Sequence, residues 1–344
     1  MRAIAVIEPN RVEVVEIDEP EVGPYQAKVR TEVALLCNAT DSKLVSGHFP
    51  GVEDYPLMLG HEVAGIVEAV GDKVRNFKVG DRVIGGLVFE FSDPKYATGW
   101  GGFCEYTLAN DHDAMVEDGV ADAEHGWFEC YEIQRAVDAD ISLEAAGLLC
   151  TWREVYGAFS DFCLEEGDDI LVFGGGAVGL SFVKFAKLLG LGYVGLVDRH
   201  AHKQDRAKTM GADEVFVPGS PELEKLAEKR GKPLDAVIDA VGKEEIINAA
   251  LPLIKLGGSI CVYGVLGDTT TVQNGKGPFN FNLFFHQWPT RAREREAQQP
   301  LCDWVRQGKL KPEEFITHEF PVEQINDALD AVKRREVIKA LLRY

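Results

Sequence analysis

The amino-acid sequence predicts an α/β protein, a doubly wound parallel-sheet domain inserted in a β-rich domain. Three observations carry this. Residues 1 to about 110 are short β-type runs broken by Gly, Pro and Asp, without βα alternation. From about residue 142, helix and strand patterns alternate, as a parallel sheet with crossover helices requires. The final stretch, 316–344, reads strand, helix, strand and returns to the first domain. The expected division is therefore 1–152 and 153–288, with 289–344 completing the first domain.

The β-type runs are "AIAVI", "VEVVEI", "AKVRTEVALL", "AGIVEAVG", "DRVIGGLVF" and "GFCEYTLA". Residues 111–133 are acidic and weakly periodic, and are expected to form a long loop. "SLEAAGLLCTWREVYGAFSDF" has helical spacing, with Ser142 as its cap. "DDILVFG", "YVGLVD", "AVIDAVG" and "GSICVYG" read as buried strands. Helices are expected between them, in "GAVGLSFVKFAKLLG", "RHAHKQDRAKTMG" and "KEEIINAALPLIKLG".

A chain of 344 residues exceeds what one core usually serves, so two domains fit its length. The formal charge of −20 repels phosphate backbones and anionic membranes, which argues against nucleic-acid or membrane partners. No apolar run approaches the roughly 18–20 residues of a bilayer span, and the N-terminus lacks the apolar core of a signal peptide. Seven scattered cysteines, odd in number, suit reduced thiols in a cytoplasmic protein.

The strand "DILVF" runs into Gly174-Gly175-Gly176-Ala177-Val178-Gly179, a G-x-G-x-x-G stretch that opens a helix. Gly174 permits the tight turn, Gly176 lets backbone approach a pyrophosphate, and Gly179 lets helix and strand pack closely. This is a Rossmann dinucleotide site. Asp198 ends the next strand, nineteen residues after Gly179, where a carboxylate bonds the ribose 2′-hydroxyl and selects NAD over NADP. Arg199 beside it can stack on adenine or favour a phosphate. Val241 and Gly264, at the ends of the following strands, complete the expected cofactor set with Ala177 and Val178. Elsewhere the chain offers Cys37, His61, Glu62 and Cys150, a sulfur, nitrogen and oxygen set of the kind zinc takes.

"GHEVAGIVEAVGDKVRNFKVGDRV", "CTWREVYGA", "DDILVFGGGAVG", "KLGGSICVYG" and "FITHEFPVEQINDALDAVK" together resemble the zinc-dependent medium-chain dehydrogenases (alcohol, sorbitol and threonine dehydrogenases) over nearly the whole chain. The resemblance implies a GroES-like catalytic domain around the Rossmann domain, NAD, and one catalytic zinc on Cys37, His61 and Cys150. Glu62 is the fourth or exchangeable ligand. It implies that zinc lowers the pKa of a substrate hydroxyl and that hydride passes to the nicotinamide. Thr40 matches the family's proton-relay hydroxyl, and Lys43 stands where a relay His often follows. Thr40, Lys43 and Glu62 are thus the expected catalytic residues. The four clustered cysteines of a structural zinc are missing; only Cys104 lies in that stretch, so no structural zinc is expected. The family pattern is Cys-x-Thr/Ser-Asp. Gapless alignment through Thr40-Asp41 puts Asn38, not Cys37, at the ligand position. In a strand a one-residue shift turns a side chain to the other face, so Cys37 reaches the metal only if a bulge or extra loop residue intervenes.

Arg153 and Glu154, just after Cys150, suit a polyhydroxylated substrate: a polyol, sugar or cyclitol oxidised at a secondary hydroxyl. An ion pair between them away from substrate is the alternative. Two other readings stay open, a zinc-free quinone or enoyl reductase of the same superfamily, and a non-catalytic NAD-binding relative. Family habit implies a homodimer or homotetramer.

Overall fold

The computed structural model describes residues 1–344. The chain divides into two compact units, Met1–Cys150 with Gln298–Tyr344, and Thr151–Ala297.

The first unit is built on a seven-stranded sheet. Its order is Ile316–Pro321, Lys339–Arg343, Gln26–Leu35, Val63–Val70, Arg82–Ile84 and Arg135–Val137, with Tyr106–Asn110 also paired to Gln26–Leu35. Gln26–Leu35 alternates buried and half-buried residues until Val33, then is buried through Leu35. Its first part therefore has one covered face, and its end enters the core. That core joins Ile4, Leu36, Leu44, Val63, Phe103 and Leu342. The helix Ile325–Lys333 adds Ile325, Ala328, Ala331 and Val332, an apolar stripe at helical spacing.

Register decides where the functional side chains gather. Ala34 pairs with Val63 and with Leu342, both antiparallel. Residues just past Leu35, just before Val63 and just before Ala340 therefore meet at one end of the sheet. Leu35 N–H donates to Glu62 O (2.8 Å) and Leu36 N–H to Ala340 O (3.0 Å), which carries the pairing beyond the strands.

The second unit is a six-stranded parallel sheet. Its order is Glu214–Phe216, Val194–Val197, Ile170–Phe173, Leu234–Asp239, Ile254–Val262 and Asn282–Phe285. The direction of strand succession reverses between Ile170–Phe173 and Leu234–Asp239, the switch point at which doubly wound sheets bind ligands.

Three elements differ from expectation. Residues 111–133 are not a long loop. They hold the helix His112–Glu117, capped by Asp111, and the short 3-10 turns Ala123–His125 and Glu129–Ile133. The capping Asp, accepting from Ala114 N–H, supplies the start signal that weak periodicity concealed. The helix expected through "KEEIINAALPLIKLG" is Glu244–Ala250 only; Pro252 sits in the 3-10 turn after it, and Ile254 already begins a strand. The helix Arg291–Arg306 was unforeseen; it carries Pro300 internally and a dense run of charge. No helix is long and apolar enough to cross a membrane.

Candidate active site

Cys37, His61 and Glu62 each present a ligand atom, and these atoms lie within 4.8 Å of one another. The sheet register explains their meeting. Cys37 lies two residues past Gln26–Leu35, and His61-Glu62 immediately precede Val63–Val70 on the antiparallel neighbour. Gly60 lets His61 take its place, because it has φ +105° and a Cβ there would lie 2.2 Å from the Phe103 ring.

The place of Cys37 follows from where the strand stops. Cys37 lies outside the strand, so the alternation rule does not apply to it. The helix Thr40–Ser46 begins three residues later, and Asn38-Ala39 form the turn that absorbs the extra residue. Asp41 fixes this turn: its N–H donates to Cys37 O (3.0 Å) and its Oδ2 accepts from Cys37 N–H (2.8 Å). Asn38 is turned to another task, its Nδ2 donating to Ile338 O (3.0 Å).

The donor set fits a zinc ion. Thiolate, imidazole and carboxylate are its usual protein ligands. His61 Nε2 is 3.9 Å from Glu62 Oε1, while Nδ1 faces the fully buried Asp41 Oδ1 at 3.7 Å. Both Nδ1 and Oδ1 are buried without a hydrogen-bond partner. An imidazole bound to a cation through Nε2 carries its proton on Nδ1, aimed at that carboxylate. The electrostatics call for positive charge here. Burial pulls the His61 imidazole down, but the Cys37 sulfur, Asp41 and Glu62 outweigh it and push it up to about 10. Burial, opposed by His61, pushes Asp41 up to about 6.

Sequence reasoning did not find Lys339. Its Nζ lies 2.6 Å from both Glu62 oxygens and donates to Leu36 O (3.4 Å), and both side chains of the pair are buried. Burial lowers the Lys339 pKa, but Glu62, Cys37 and Asp41 raise it more. With the partners 277 positions apart in the sequence, no local pattern announces the pair.

In the second unit the glycine stretch is built as expected. Gly174 has φ +103°, and a Cβ there would meet Val241 Cγ2 at 2.7 Å across the switch point. At Gly179 a Cβ would fall 1.7 Å from Gly174 O, so helix and strand pack closely only with glycine. Gly264 is similarly hemmed by Gly242 N at 2.0 Å. Gly176 is different: nothing lies within 4 Å of its would-be Cβ. The protein's own packing does not require glycine there, at the N-terminus of the helix Ala177–Leu188, whose first turn holds no acidic residue. Open space at a helix N-terminus fits a pyrophosphate. Asp198 is half-buried and accepts from Gly175 N–H (2.7 Å) and His200 N–H (2.8 Å), tying the second strand's end to the glycine turn. Arg199 and Val241 are exposed.

Comparison with known proteins decides the family. Residues 23–118 match the alcohol dehydrogenase GroES-like domain and residues 177–287 the zinc-binding dehydrogenase domain. The S-(hydroxymethyl)glutathione dehydrogenase of Saccharomyces cerevisiae is 30% identical, the match covering 97% of this chain and 93% of the relative. The chain belongs to the zinc-dependent medium-chain dehydrogenase family. The starvation-sensing protein RspB of Escherichia coli K12 is 27% identical over 100% of this chain and 99% of its own. Among solved structures, the alcohol dehydrogenase rspB of E. coli CFT073 complexed with NADH has a TM-score of 0.81 at 22% identity, covering 100% and 99% of the two chains. The 2R,3R-butanediol dehydrogenase of Bacillus subtilis has 0.80 at 19%, with the same coverage. These two share the fold.

The remaining site residues of this medium-chain dehydrogenase are placed as follows. Thr40 opens the helix Thr40–Ser46 and Lys43 lies within it, both half-buried. Cys150 is half-buried on the helix Leu143–Asp161, whose start Ser142 caps by accepting from Ala145 N–H (3.2 Å). Arg153 on the same helix is fully buried, and Glu154 accepts from Tyr263 Oη (3.1 Å). His112, in the 111–133 segment, accepts from Trp127 Nε1 (3.0 Å), and His125 pairs with Asp122 (2.7 Å), so each has a local partner. Cys104 is a core side chain whose thiol burial pushes up to about 12.

Proposed function

We propose that this protein is an NAD-dependent dehydrogenase that interconverts a secondary hydroxyl and a ketone on a polyol, sugar or cyclitol. The observation that carries the reading is the Cys37, His61 and Glu62 cluster, in a chain whose glycine turn leaves open space at Gly176. Cys37, His61 and Cys150 are the proposed zinc ligands, with Glu62 exchangeable. Bound zinc would polarise the substrate hydroxyl, and bound NAD would take the hydride.

The chain's own residues do the rest. Asp41 orients His61 and closes the Cys37 turn. Thr40, three residues from Cys37, accepts the hydroxyl proton at Oγ1 and passes it outward, with Lys43 one helical turn further on. The N–H groups at Gly176, Ala177 and Val178 hold the pyrophosphate. Asp198, each of whose oxygens already accepts one backbone N–H, from Gly175 and from His200, uses a remaining lone pair for the ribose 2′-hydroxyl and disfavours a 2′-phosphate. Half-buried Glu154 supports a substrate with several hydroxyls, as does the diol named for one structural relative, whereas the fully buried Arg153 presents no surface to it. The proposal extends to a cytoplasmic protein and to a homodimer or homotetramer, the association supported by exposed Phe285 on the edge strand Asn282–Phe285 and exposed Phe279 just before it.

The test is an NAD-reduction screen over polyols, sugars, cyclitols and simple alcohols, with and without chelator. Activity on polyhydroxylated compounds that chelator abolishes and zinc restores is expected. Preference for ethanol would overturn the substrate class, and chelator-insensitive reduction of quinones or activated alkenes would overturn the reaction.

A further inference from the structure

We infer that Phe128, with Phe89, Tyr131 and Glu90, forms a second substrate subsite that takes an uncharged sugar ring linked to the polyol or cyclitol unit being oxidised. The inference rests on the substrate class proposed above and extends it to glycosides.

The segment 111–133 contributes no residue to the proposed metal site or to the glycine turn. Sheet register nevertheless brings its end toward the metal donors. Ile84 pairs with Ala64 on one side and with Arg135 on the other, and Gly85 N–H donates to Val63 O (2.9 Å). The chain beyond Ile84 therefore leaves the sheet beside His61-Glu62, and the chain before Arg135 arrives at the same end. Gln134 Nε2 donates to Gly85 O (2.6 Å) and pins the two runs together. Val88 N–H donates to Trp100 O (3.1 Å), and the Trp100 ring lies 5.4 Å from the His61 imidazole. Phe89 is the next residue along.

At this place the segment builds an aromatic surface. Phe128 is 51% exposed. Its ring lies 5.0 Å from Phe89, inclined by 31°, and 5.7 Å from Tyr131, at 77°. A phenyl ring half in water and braced by two others is a rigid apolar platform rather than a core side chain. The charge beside it has one sign, since Glu90 and Glu129 are both exposed. Burial, with Cys130 and Glu90 acting in the same direction, pushes the Tyr131 hydroxyl up to about 12, so it keeps its proton as a donor. A sugar ring matches this chemistry. Its C–H face lies on Phe128 while hydroxyls on its edge donate to the Glu90 carboxylate. A purely aliphatic group would desolvate Glu90 without supplying a donor. A phosphate or carboxylate would meet two like charges.

The test measures kcat/KM on the full-length parent, Phe128→Ala, Phe128→Trp and Glu90→Gln. The probes are sorbitol and myo-inositol, their glycosides maltitol, isomaltitol, lactitol and galactinol, and sorbitol 6-phosphate. The parent is expected to favour at least one glycoside over its own unit by about tenfold, and to use sorbitol 6-phosphate less well than that glycoside. Phe128→Ala should cut this preference about fivefold, through KM rather than kcat, and Glu90→Gln about threefold. Phe128→Trp, which keeps the aromatic face, should retain it. If Phe128→Ala does not fold, Phe128→Leu carries the same expectation, since it keeps apolar volume and loses the flat face. Equal losses on units and glycosides would mean that Phe128 serves only the fold, and would overturn the inference. A parent that oxidises the units but favours no glycoside would overturn the subsite alone, as would a preference for sorbitol 6-phosphate over every glycoside. A parent that oxidises neither units nor glycosides would overturn the proposed substrate class together with the subsite.

Discussion

Adding one methyl group at each of two glycines separates fold from function in the nucleotide domain. At Gly179 a Cβ would sit 1.7 Å from Gly174 O, where real contacts do not fall below 3.0 Å, and the obstructing atom is backbone. The helix Ala177–Leu188 must then move away from the strand Ile170–Phe173 by more than an ångström. Overpacking of this kind costs about 3 kcal/mol. For a domain of this size that lowers Tm by about 6–12 °C. At Gly176 the same methyl meets nothing within 4 Å, and φ −79° with ψ −176° is open to any residue. Reduced freedom of the unfolded chain stabilises by about 0.4–1 kcal/mol, which roughly offsets Ala being a poorer helix cap than Gly. Gly176→Ala should thus melt within a degree or two of the parent. Its effect appears when the cofactor binds, because the methyl holds a phosphate away from the N–H groups of the helix start. Losing one charge-assisted hydrogen bond costs about 1.5–3 kcal/mol, or about 10- to 100-fold in Kd. The assays are thermal unfolding and titration of NADH fluorescence on both variants. Parent-like NADH binding by Gly176→Ala would refute the placement of the pyrophosphate. Equal destabilisation of the two variants would refute the packing argument.

Other expectations follow from single contacts. Burial raises the Asp169 pKa, but Lys232, the Tyr193 N–H and Arg230 outweigh it and hold the carboxyl at about 2, against 3.8 ordinarily. Its contribution is therefore present above pH 3.8 and lost as the pH falls through about 2. Asp169→Asn should cost about 2 kcal/mol at neutral pH and flatten the acid limb of a urea-midpoint against pH profile. Cys37→Ser should lower bound zinc at least ~tenfold in competition with a chelator, whereas Asn38→Ala should leave zinc content intact and cost about 1 kcal/mol for the lost bond to Ile338 O. Asp198→Asn should raise the NADP-to-NAD ratio of kcat/KM about tenfold, and an unchanged ratio would remove Asp198 from the ribose site. Thr40→Val should lower kcat about 100-fold with full zinc content, and a parent-like kcat would exclude its hydroxyl from the proton path.

What could be read in the sequence follows the range of the interaction concerned. The glycine turn was legible because its causes are local: a strand, a tight turn and a helix start lie within a few residues, and each glycine answers a contact nearby. His61-Glu62 was legible for the same reason. Cys37 was harder, since counting residues from Thr40-Asp41 assumes that the strand continues to the ligand. It ends at Leu35, and a turn closed by Asp41 takes up the extra residue. The signal was present in the Cys-Asn-Ala-Thr-Asp run, where a polar residue and a helix start leave little room for a further strand position. Lys339 was beyond such reading. A lysine in "REVIKALLRY" suggests solvent or a strand edge, and only register, Leu341 opposite Leu35 and Ala34 opposite Val63, brings it to Glu62. A buried lysine is rare without a partner. The useful question for an isolated charge inside an apolar strand is therefore which distant carboxylate the sheet order places beside it. Here the answer joins the last strand of the chain to Glu62, beside the proposed metal donors, while the same strand completes the first unit's sheet.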